Sequence, residues 1–200
     1  MIEKDDVIAF FDMWAPRWDA DMVRDDRIIN TILDNAGVKK GTGVLDVGCG
    51  TGVLVPYYLE RGVLSVTGVD ISPKMAAIAR SKFKDDNVTI LCCDAETDEI
   101  GSAYDSIVIY NAFPHFREQE KLLSRLSSLL VPGGILTVAH GMSREKVISH
   151  HSGSASRVTQ GLPTAEELAK TPVEGAEVTT VISDDRMFQV CWKKTLPFMK

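Results

Sequence analysis

Carboxylates and glycines at the ends of predicted strands form the first candidate site for chemistry. The segment VLDVGCGTGVL (44–54) runs from a buried-strand pattern into three glycines at alternate positions, Gly48, Gly50 and Gly52, and then into a helix-compatible stretch. Glycine is needed where the backbone takes a positive φ or comes within contact distance of a ligand. Asp46 comes just before this turn, so the segment predicts a ligand cradle with a carboxylate beside it.

Two further acids end the next two predicted strands. Asp70 lies 22 positions after Gly48, the spacing at which a carboxylate on the second strand meets both hydroxyls of a ribose. Asp94 ends the third strand, where it is placed to meet an adenine amino group. The glycine spacing is G-x-G-x-G instead of the G-x-G-x-x-G of dinucleotide sites. Because Asp46 would repel a pyrophosphate but suits ammonium and sulfonium groups, we predict an adenosyl ligand of the latter kind.

Histidines in the second half of the chain are the second candidate. They are His115, His140, His150 and His151. Histidine suits general-base work near neutral pH, and Arg144 would then bind an anionic or carbonyl group of a substrate. Alternatively, His115, His140 and His151 would hold a divalent metal, although their spacing matches no standard zinc motif. A third reading, surface or core histidines without a chemical role, also stays open.

The hydrophobic pattern supplies elements that would bring these residues together. Strands alternate with helices five times up to residue 140, and the fifth strand is predicted over 135–140. Such alternation indicates a parallel sheet covered on both faces, an α/β doubly wound fold. Two last strands, AEVTTVIS (176–183) and MFQVCWKK (187–194), have so short a link that they must be antiparallel.

The two ends of the chain are predicted to cover the site. Residues 3–20 mix acids with aromatic residues, including Trp14 and Trp18, with Pro16 between them. A short helix, a break and an aromatic cluster follow, which either dock on the core or form a movable lid over a pocket. We expect one domain, made of a lid (1–36), a ligand-binding core (37–140), and a substrate-side segment with the last two strands (141–200).

Composition narrows the classes of partner. The 200 residues are 44% hydrophobic, which is enough to form one core. The net charge is −6 and no basic stripe is present, which argues against a nucleic-acid partner.

The N-terminus has acids where a signal peptide carries positive charge, so we expect a cytoplasmic protein without a membrane partner. Four cysteines lack zinc-finger spacing and are expected to be free thiols. A homodimer is neither predicted nor excluded.

Four motifs together resemble one family. LDVGCGTG, GVDISPKM, CDAE at 93–96 and LVPGGILTVAH look like the motifs of class I S-adenosylmethionine-dependent methyltransferases. The resemblance covers residues 44–140, and FFDMWAPRWD is similar to the lid helix of members that act on small molecules. It implies a seven-stranded sheet and S-adenosylmethionine as the cofactor.

Carried over position by position, the resemblance also implies contacts. The cofactor positions are Asp46, Gly48, Cys49, Gly50, Gly52 and Asn111 around the methionyl part, Asp70 at the ribose, and Ile71, Met75, Asp94 and Ala95 around the adenine. The residues expected to shape an acceptor pocket are Trp14, Trp18, Tyr110 and Phe113.

We therefore interpret the chain as a methyltransferase for a small molecule, with histidine or metal assistance to the transfer. Two alternatives make different predictions. A non-catalytic S-adenosylmethionine-binding protein of the same fold would bind the cofactor without turnover. A nicotinamide-dependent oxidoreductase would bind the dinucleotide and not S-adenosylhomocysteine.

Overall fold

In the computed structural model, which describes residues 2–151 and 153–196, seven strands form one mixed sheet. In chain order they are β1 (Gly43–Val47), β2 (Ser65–Asp70), β3 (Val88–Cys92), β4 (Tyr104–Tyr110), β5 (Leu130–His140), β6 (Ala176–Ser183) and β7 (Phe188–Lys194). Their spatial order is β3-β2-β1-β4-β5-β7-β6. Strands β1 to β5 are parallel, and β7 is antiparallel to both of its neighbours. The predicted doubly wound, mostly parallel α/β sheet with an antiparallel C-terminal pair is confirmed.

Several helices begin at residues whose side chains cap them. The α-helices of the described chain are α1 (Lys4–Trp14), α2 (Trp18–Asp21), α3 (Asp26–Asn35), α4 (Val55–Glu60), α5 (Pro73–Lys82), α6 (Gln119–Ser128), α7 (Arg144–His150) and α8 (Ala165–Ala169). Asp25 accepts two backbone N–H groups at the start of α3, Ser72 caps α5, and Thr164 forms a capping box with Glu167 on α8. Within residues 2–151 and 153–196, every helix is too short or too polar to cross a membrane.

Alternate residues of the central strand pack against helices on opposite faces of the sheet. Val44 packs with Ile29 of α3 and Tyr58 of α4, whereas Leu45 packs with Leu126 of α6. All five side chains are fully buried. Strand β1 lies between β2 and β4, where the order of the sheet reverses. Open α/β sheets bind ligands at this switch point, beyond the carboxyl ends of the strands.

Strand β5 begins five residues before its predicted range of 135–140. Leu130 pairs with Tyr104, and after an irregularity Ser106 pairs with Ile135. The preceding helix already ends at Ser128, before the Pro-Gly-Gly segment (132–134), which lies inside β5. This segment does not end the pairing, because a bulge absorbs the extra residues between two correctly paired stretches.

The N-terminal segment lies over the switch point and is bonded to the core there. Asp12 of α1 accepts hydrogen bonds from Ser72 Oγ (2.5 Å) and Lys74 N (3.1 Å) at the start of α5. Asp19 of α2 accepts from Thr51 Oγ1 (2.5 Å) in the glycine turn. This placement is the one that a lid requires, while the movement of residues 1–36 as a lid stays a prediction.

Candidate functional site

A cavity of about 520 Å³ opens at the carboxyl ends of all five parallel strands. Its floor comes from the strand ends and the glycine turn, and its roof comes from α1, α2 and α7. The predicted site residues that line it are Trp14, Trp18, Asp46, Gly48, Cys49, Gly50, Asp70, Ile71, Met75, Asp94, Ala95, Tyr110, Asn111, His115, His140 and His151. The structure thus brings together, around one cavity, residues that lie more than a hundred positions apart.

The glycine turn is held against the ends of β1 and β2. Gly48 N and Cys49 N both donate to Val69 O, at 2.8 and 3.0 Å. Gly48 has φ +72°, and a Cβ there would lie 2.6 Å from the Ala112 Cβ. A side chain at this position is therefore excluded by the backbone conformation and by the neighbour.

Asp70 connects the glycine turn to the start of α5 through its two carboxylate oxygens. Its Oδ2 accepts from Gly50 N at 2.8 Å, and its Oδ1 accepts from Ser72 N at 2.9 Å. Burial raises the pKa of Asp70 to about 6, although the two backbone hydrogen bonds act in the opposite direction. The side chain is 9% exposed, and the exposed part faces the cavity. Near neutral pH it is an ionised acceptor at the place where the resemblance puts a ribose.

Asp46 is buried beneath the turn without a complete set of partners. It is 2% exposed, and its Oδ2 has no hydrogen-bond partner among the described residues. Burial, followed by the nearby charge of Asp70, raises the pKa of Asp46 to about 8. A buried carboxyl group with a free oxygen on a cavity wall is suited to an ammonium group of a ligand.

Asp94 is already engaged by two cations that the sequence did not single out. Its Oδ2 lies 3.1 Å from Lys4 Nζ of α1 and 3.2 Å from Arg117. Arg117 also pairs with Glu96 at 3.1 Å. The adenine contact predicted for Asp94 is not tested by this geometry, but its carboxylate is oriented by these partners. No local pattern marks Lys4, because only the folded chain brings α1 to the end of β3.

The aromatic side of the cavity lies beyond the glycine turn. The apolar residues that line it include Phe10, Phe11, Trp14, Met22, Tyr110, Phe116 and Met142. Trp14 Nε1 is buried without a partner in the described chain, so it is a free donor. Trp18 lies nearer the turn, since its Nε1 would be 3.8 Å from a Cβ built on Gly50. Phe10 and Phe11 belong to the aromatic residues of segment 3–20, whose pattern does not distinguish cavity from core.

All four histidines line the cavity; His150 is exposed on α7, whereas the other three are buried or half-buried. His115 ends the 3-10 turn Phe113–His115, His140 ends β5, and His151 follows α7. His115 Nε2 and His151 Nε2 are 3.2 Å apart. Burial lowers the pKa of His115 to about 4 and that of His140 to about 3, and it lowers the pKa of His151 as well. All three are therefore neutral at pH 7 and have lone pairs to offer.

The three-histidine metal site considered from the sequence is not formed. Within residues 2–151 and 153–196, no group of three or more His, Cys, Asp or Glu side chains is arranged to hold a metal ion. His115 and His151 are paired, and His140 lies at 2% exposure with its Nε2 unpartnered in the described chain. The spacing in sequence could not show this, because the three rings come from three separate elements of the chain.

Three other predicted residues lie outside the cavity. Arg144 Nε donates to Leu162 O (2.9 Å) and Pro163 O (3.0 Å), so it anchors that segment and does not reach a substrate. Phe113 is 1% exposed in the main core. Gly52 faces Phe83, whose ring would lie 2.5 Å from a Cβ at that position. Glycine is therefore required at position 52 by the packing of Phe83 and not by contact with a ligand.

Comparison with known proteins agrees with this geometry. Residues 44–134 match a family model described as a methyltransferase domain. The malonyl-[acyl-carrier protein] O-methyltransferase of Acetivibrio thermocellus is 32% identical over 139 residues, which are 68% of this chain and 49% of that relative. The (S)-coclaurine N-methyltransferase of Thalictrum flavum is 32% identical over 56% of this chain and 32% of its own length. The chain thus spans about half the length, or less, of these curated relatives.

Solved structures share the whole fold. A chain of the Haloferax volcanii complex between the Trm112 methyltransferase activator and a methyltransferase matches with a TM-score of 0.80 and 19% identity, over 97% of this chain and 100% of that one. Magnesium protoporphyrin IX methyltransferase from Synechocystis with bound S-adenosylhomocysteine matches with a TM-score of 0.71 and 18% identity, over 96% and 100% of the two chains. At such identities these likenesses establish the fold alone.

Proposed function

The chain carries a methyltransferase domain of the class I, S-adenosylmethionine-dependent family, and on this premise we propose that the protein methylates a small-molecule acceptor. One observation carries the proposal. A single cavity has the glycine turn with Asp46 and Asp70 at one end and an aromatic, histidine-bearing wall at the other. A donor at the first end and an acceptor at the second would share this cavity.

The residues at the turn suit S-adenosylmethionine. Asp46 offers a carboxyl oxygen without a protein partner, which matches the ammonium of the methionyl part. Asp70 offers ionised oxygens on the cavity wall beside Gly50. When bound, the cofactor supplies a sulfonium methyl that is already electrophilic. The protein then has to align the acceptor with that methyl and to exclude water.

The opposite wall favours an acceptor with an apolar or aromatic frame. Among the described residues that line the cavity, the cations are Lys4 and Arg117, and both are paired with Asp94. This leaves no unpaired cation there for a free carboxylate. Trp14 Nε1 is available to donate to a polar atom of the acceptor. The relatives' names mention different acceptors, so we base the acceptor class on this lining.

A histidine is the proposed proton acceptor, for an acceptor that must lose a proton before it is methylated. The rings of His115 and His151 are neutral at pH 7 and line the cavity. The cytoplasmic location and the lack of a nucleic-acid partner stay predictions. A protein activator of the kind present in the Haloferax complex is not needed for this proposal.

Calorimetry followed by a methyl-transfer assay tests the proposed function. We expect S-adenosylhomocysteine to bind with a Kd on the order of 1–100 μM and the nicotinamide dinucleotides not to bind. A labelled-methyl screen over phenols, thiols, amines and carboxylates should then show turnover, with phenols and thiols preferred. Binding of a dinucleotide alone would favour the oxidoreductase. Cofactor binding without turnover on any acceptor class would favour the non-catalytic protein.

Cofactor affinity should rise with pH up to about 8 because of Asp46. In the free protein the pKa of Asp46 is about 8, so its carboxyl is protonated at pH 7. A bound ammonium stabilises the carboxylate and lowers that pKa, so binding releases up to one proton. Affinity for S-adenosylhomocysteine should therefore increase by up to about tenfold per pH unit between pH 6.5 and 8, and then level off.

Calorimetry at pH 7 in two buffers of different ionisation enthalpy measures the released proton. Asp46→Asn should bind more weakly and release no proton, since its amide cannot titrate. The matched control is Asp86→Asn, in the exposed loop before β3, which should keep the wild-type proton release. An equal proton release in Asp46→Asn would show that another group titrates.

A further inference from the structure

His115 and His151 form a pair whose hydrogen bonds conflict in the neutral state. His115 Nδ1 lies 2.7 Å from Val158 O, and His151 Nδ1 lies 2.7 Å from Val147 O. A carbonyl oxygen only accepts, so each Nδ1 must carry the ring hydrogen. The lone pair of each neutral ring is then on Nε2. The two Nε2 atoms are 3.2 Å apart, so two acceptors face each other without a hydrogen between them.

A change of tautomer in one ring replaces the Nε2···Nε2 repulsion by a repulsion between its Nδ1 lone pair and a carbonyl oxygen. If one ring carried its hydrogen on Nε2, the Nε2···Nε2 hydrogen bond would form. The Nδ1 lone pair of that ring would then face a carbonyl oxygen at 2.7 Å. Thr159 Oγ1, 3.4 Å from His115 Nδ1, is too distant to offset this repulsion. One added proton satisfies every contact, because an imidazolium donates through Nε2 to the neutral Nε2 opposite and keeps both Nδ1 bonds.

We propose that this histidine pair takes up the proton that the methyl acceptor loses and holds it between the two Nε2 atoms. The inference rests on the proposed function and deepens it. The acceptor's X–H bond breaks, and its hydrogen, as a proton, binds one Nε2 and is shared with the other. The electron pair stays on X and forms the bond to the incoming methyl carbon, whose former bonding pair remains with the donor sulfur. The acceptor is thus a weakly acidic X–H compound, a phenol or thiol on an apolar frame.

The surroundings of the pair agree with a base that is free at neutral pH. Burial keeps both rings unprotonated in the resting protein, and Phe11 closes one side, with its ring centroid 4.8 Å from that of His115. Once one ring is protonated, its hydrogen bond to the Nε2 of the other ring offsets the free-energy cost of a buried positive charge. A lone buried histidine would have no such compensation and would be a weaker base.

Other ionisable groups surround the pair on the cavity wall and on the elements packed against it. Those that act on it electrostatically are His140 at the end of β5 and His150 on α7. Across the cavity, the cations Lys4 and Arg117 form ion pairs with Asp94. The remaining charged groups on the cavity wall or on the elements packed against the pair are Asp5, Asp6, Asp12, Asp21, Asp46, Asp70, Glu96, Arg144, Glu145, Lys146 and Arg157.

Nitrogen-15 NMR of the histidine rings in the free protein tests the proposal without the assay of activity. At high pH both rings should be Nδ1–H tautomers. As the pH falls, both should respond to one shared protonation with a common midpoint. His151→Phe keeps a ring in place but removes the second Nε2. The midpoint of His115 should then fall by about one pH unit or more, a tenfold loss of proton affinity.

The sign of this shift separates the proposal from simple repulsion. If His151 acted on His115 only as a neighbouring charge, its removal would raise the midpoint of His115. Ile148→Ala, on the exposed side of α7, is the matched control and should leave the common midpoint unchanged. His151→Gln is the second variant should His151→Phe not fold, and its amide oxygen should retain part of the effect.

Three outcomes would overturn the proposal: separate midpoints for the two rings, a His115 midpoint that is unchanged or raised in His151→Phe and His151→Gln, or stoichiometric zinc binding through both Nε2 atoms. None of these affects S-adenosylhomocysteine binding by the wild type. Conversely, a coupled titration without cofactor binding would contradict the proposed function and leave the pair's shared proton intact.

Discussion

Asp70→Asn is expected to weaken S-adenosylhomocysteine binding by about 100-fold, which corresponds to about 2.7 kcal/mol. Both oxygens of Asp70 accept backbone N–H groups, from Gly50 and from Ser72. An asparagine amide would present a donor to one of these donors and leave a buried N–H unpaired, at a cost of about 1–3 kcal/mol. The proposed charge-assisted contact with the ribose would also be lost.

Calorimetry at pH 8 is the appropriate measurement for Asp70→Asn, because the pKa of Asp70 is about 6 and the wild-type carboxylate is then ionised. Asp86→Asn removes an exposed carboxylate of the same size and should bind like the wild type. A folded Asp70→Asn protein with wild-type affinity would show that this carboxylate contacts no part of the ligand and does not position the turn for it.

Gly48→Ala should destabilise the protein by about 2–4 kcal/mol and abolish measurable cofactor binding. The backbone at Gly48 has φ +72°, and the added methyl would lie 2.6 Å from the Ala112 Cβ. Relief of this contact requires the turn to move away from β4, into the space proposed for the cofactor. For a chain of this size the loss corresponds to a Tm lowered by about 5–15 °C in a thermal melt.

Gly41→Ala separates conformational strain from crowding in that experiment. Gly41 has φ +84°, but no atom lies within 4 Å of the position that an added methyl would take. Its replacement should therefore cost only about 1–2 kcal/mol, the penalty of the left-handed conformation, and should leave cofactor binding intact. Equal losses in the two variants would mean that the contact with Ala112 contributes nothing.

The N-terminal segment connects the two ends of the proposed site. Lys4 reaches Asp94 at the end near the cofactor positions, while Phe11 of the same helix packs on His115. The Lys4 side chain is 41% exposed, so solvent screens its pair with the buried Asp94, and the apolar contacts and Asp12 hydrogen bonds of α1 also hold the helix in place. We therefore predict that this segment opens and closes over the proposed site.

The strand ends and the glycine turn were predictable because they depend on local properties of the chain. Buried runs such as Val44–Val47 predict parallel strands, and Gly48 and Gly50 mark a turn that only glycine forms. Asp46 and Asp70 follow from their position relative to that turn. The order of the strands then places all of these residues at one edge of the sheet without further information.

Contacts between distant segments were decided only by the tertiary structure. Helical spacing shows which residues share a face of α7 but not what that face meets, so Arg144 was predicted at the substrate and instead binds the carbonyls of the 162–163 segment. Phe113 was predicted in the pocket, but one turn of backbone places it in the core. His115 and His151 are 36 positions apart, and no sequence pattern encodes a 3.2 Å contact between two Nε2 atoms. Local sequence thus determined the fold and the residues of the proposed cofactor end, whereas packing determined which side chains meet at the proposed acceptor end, because side-chain direction depends on every neighbour at once.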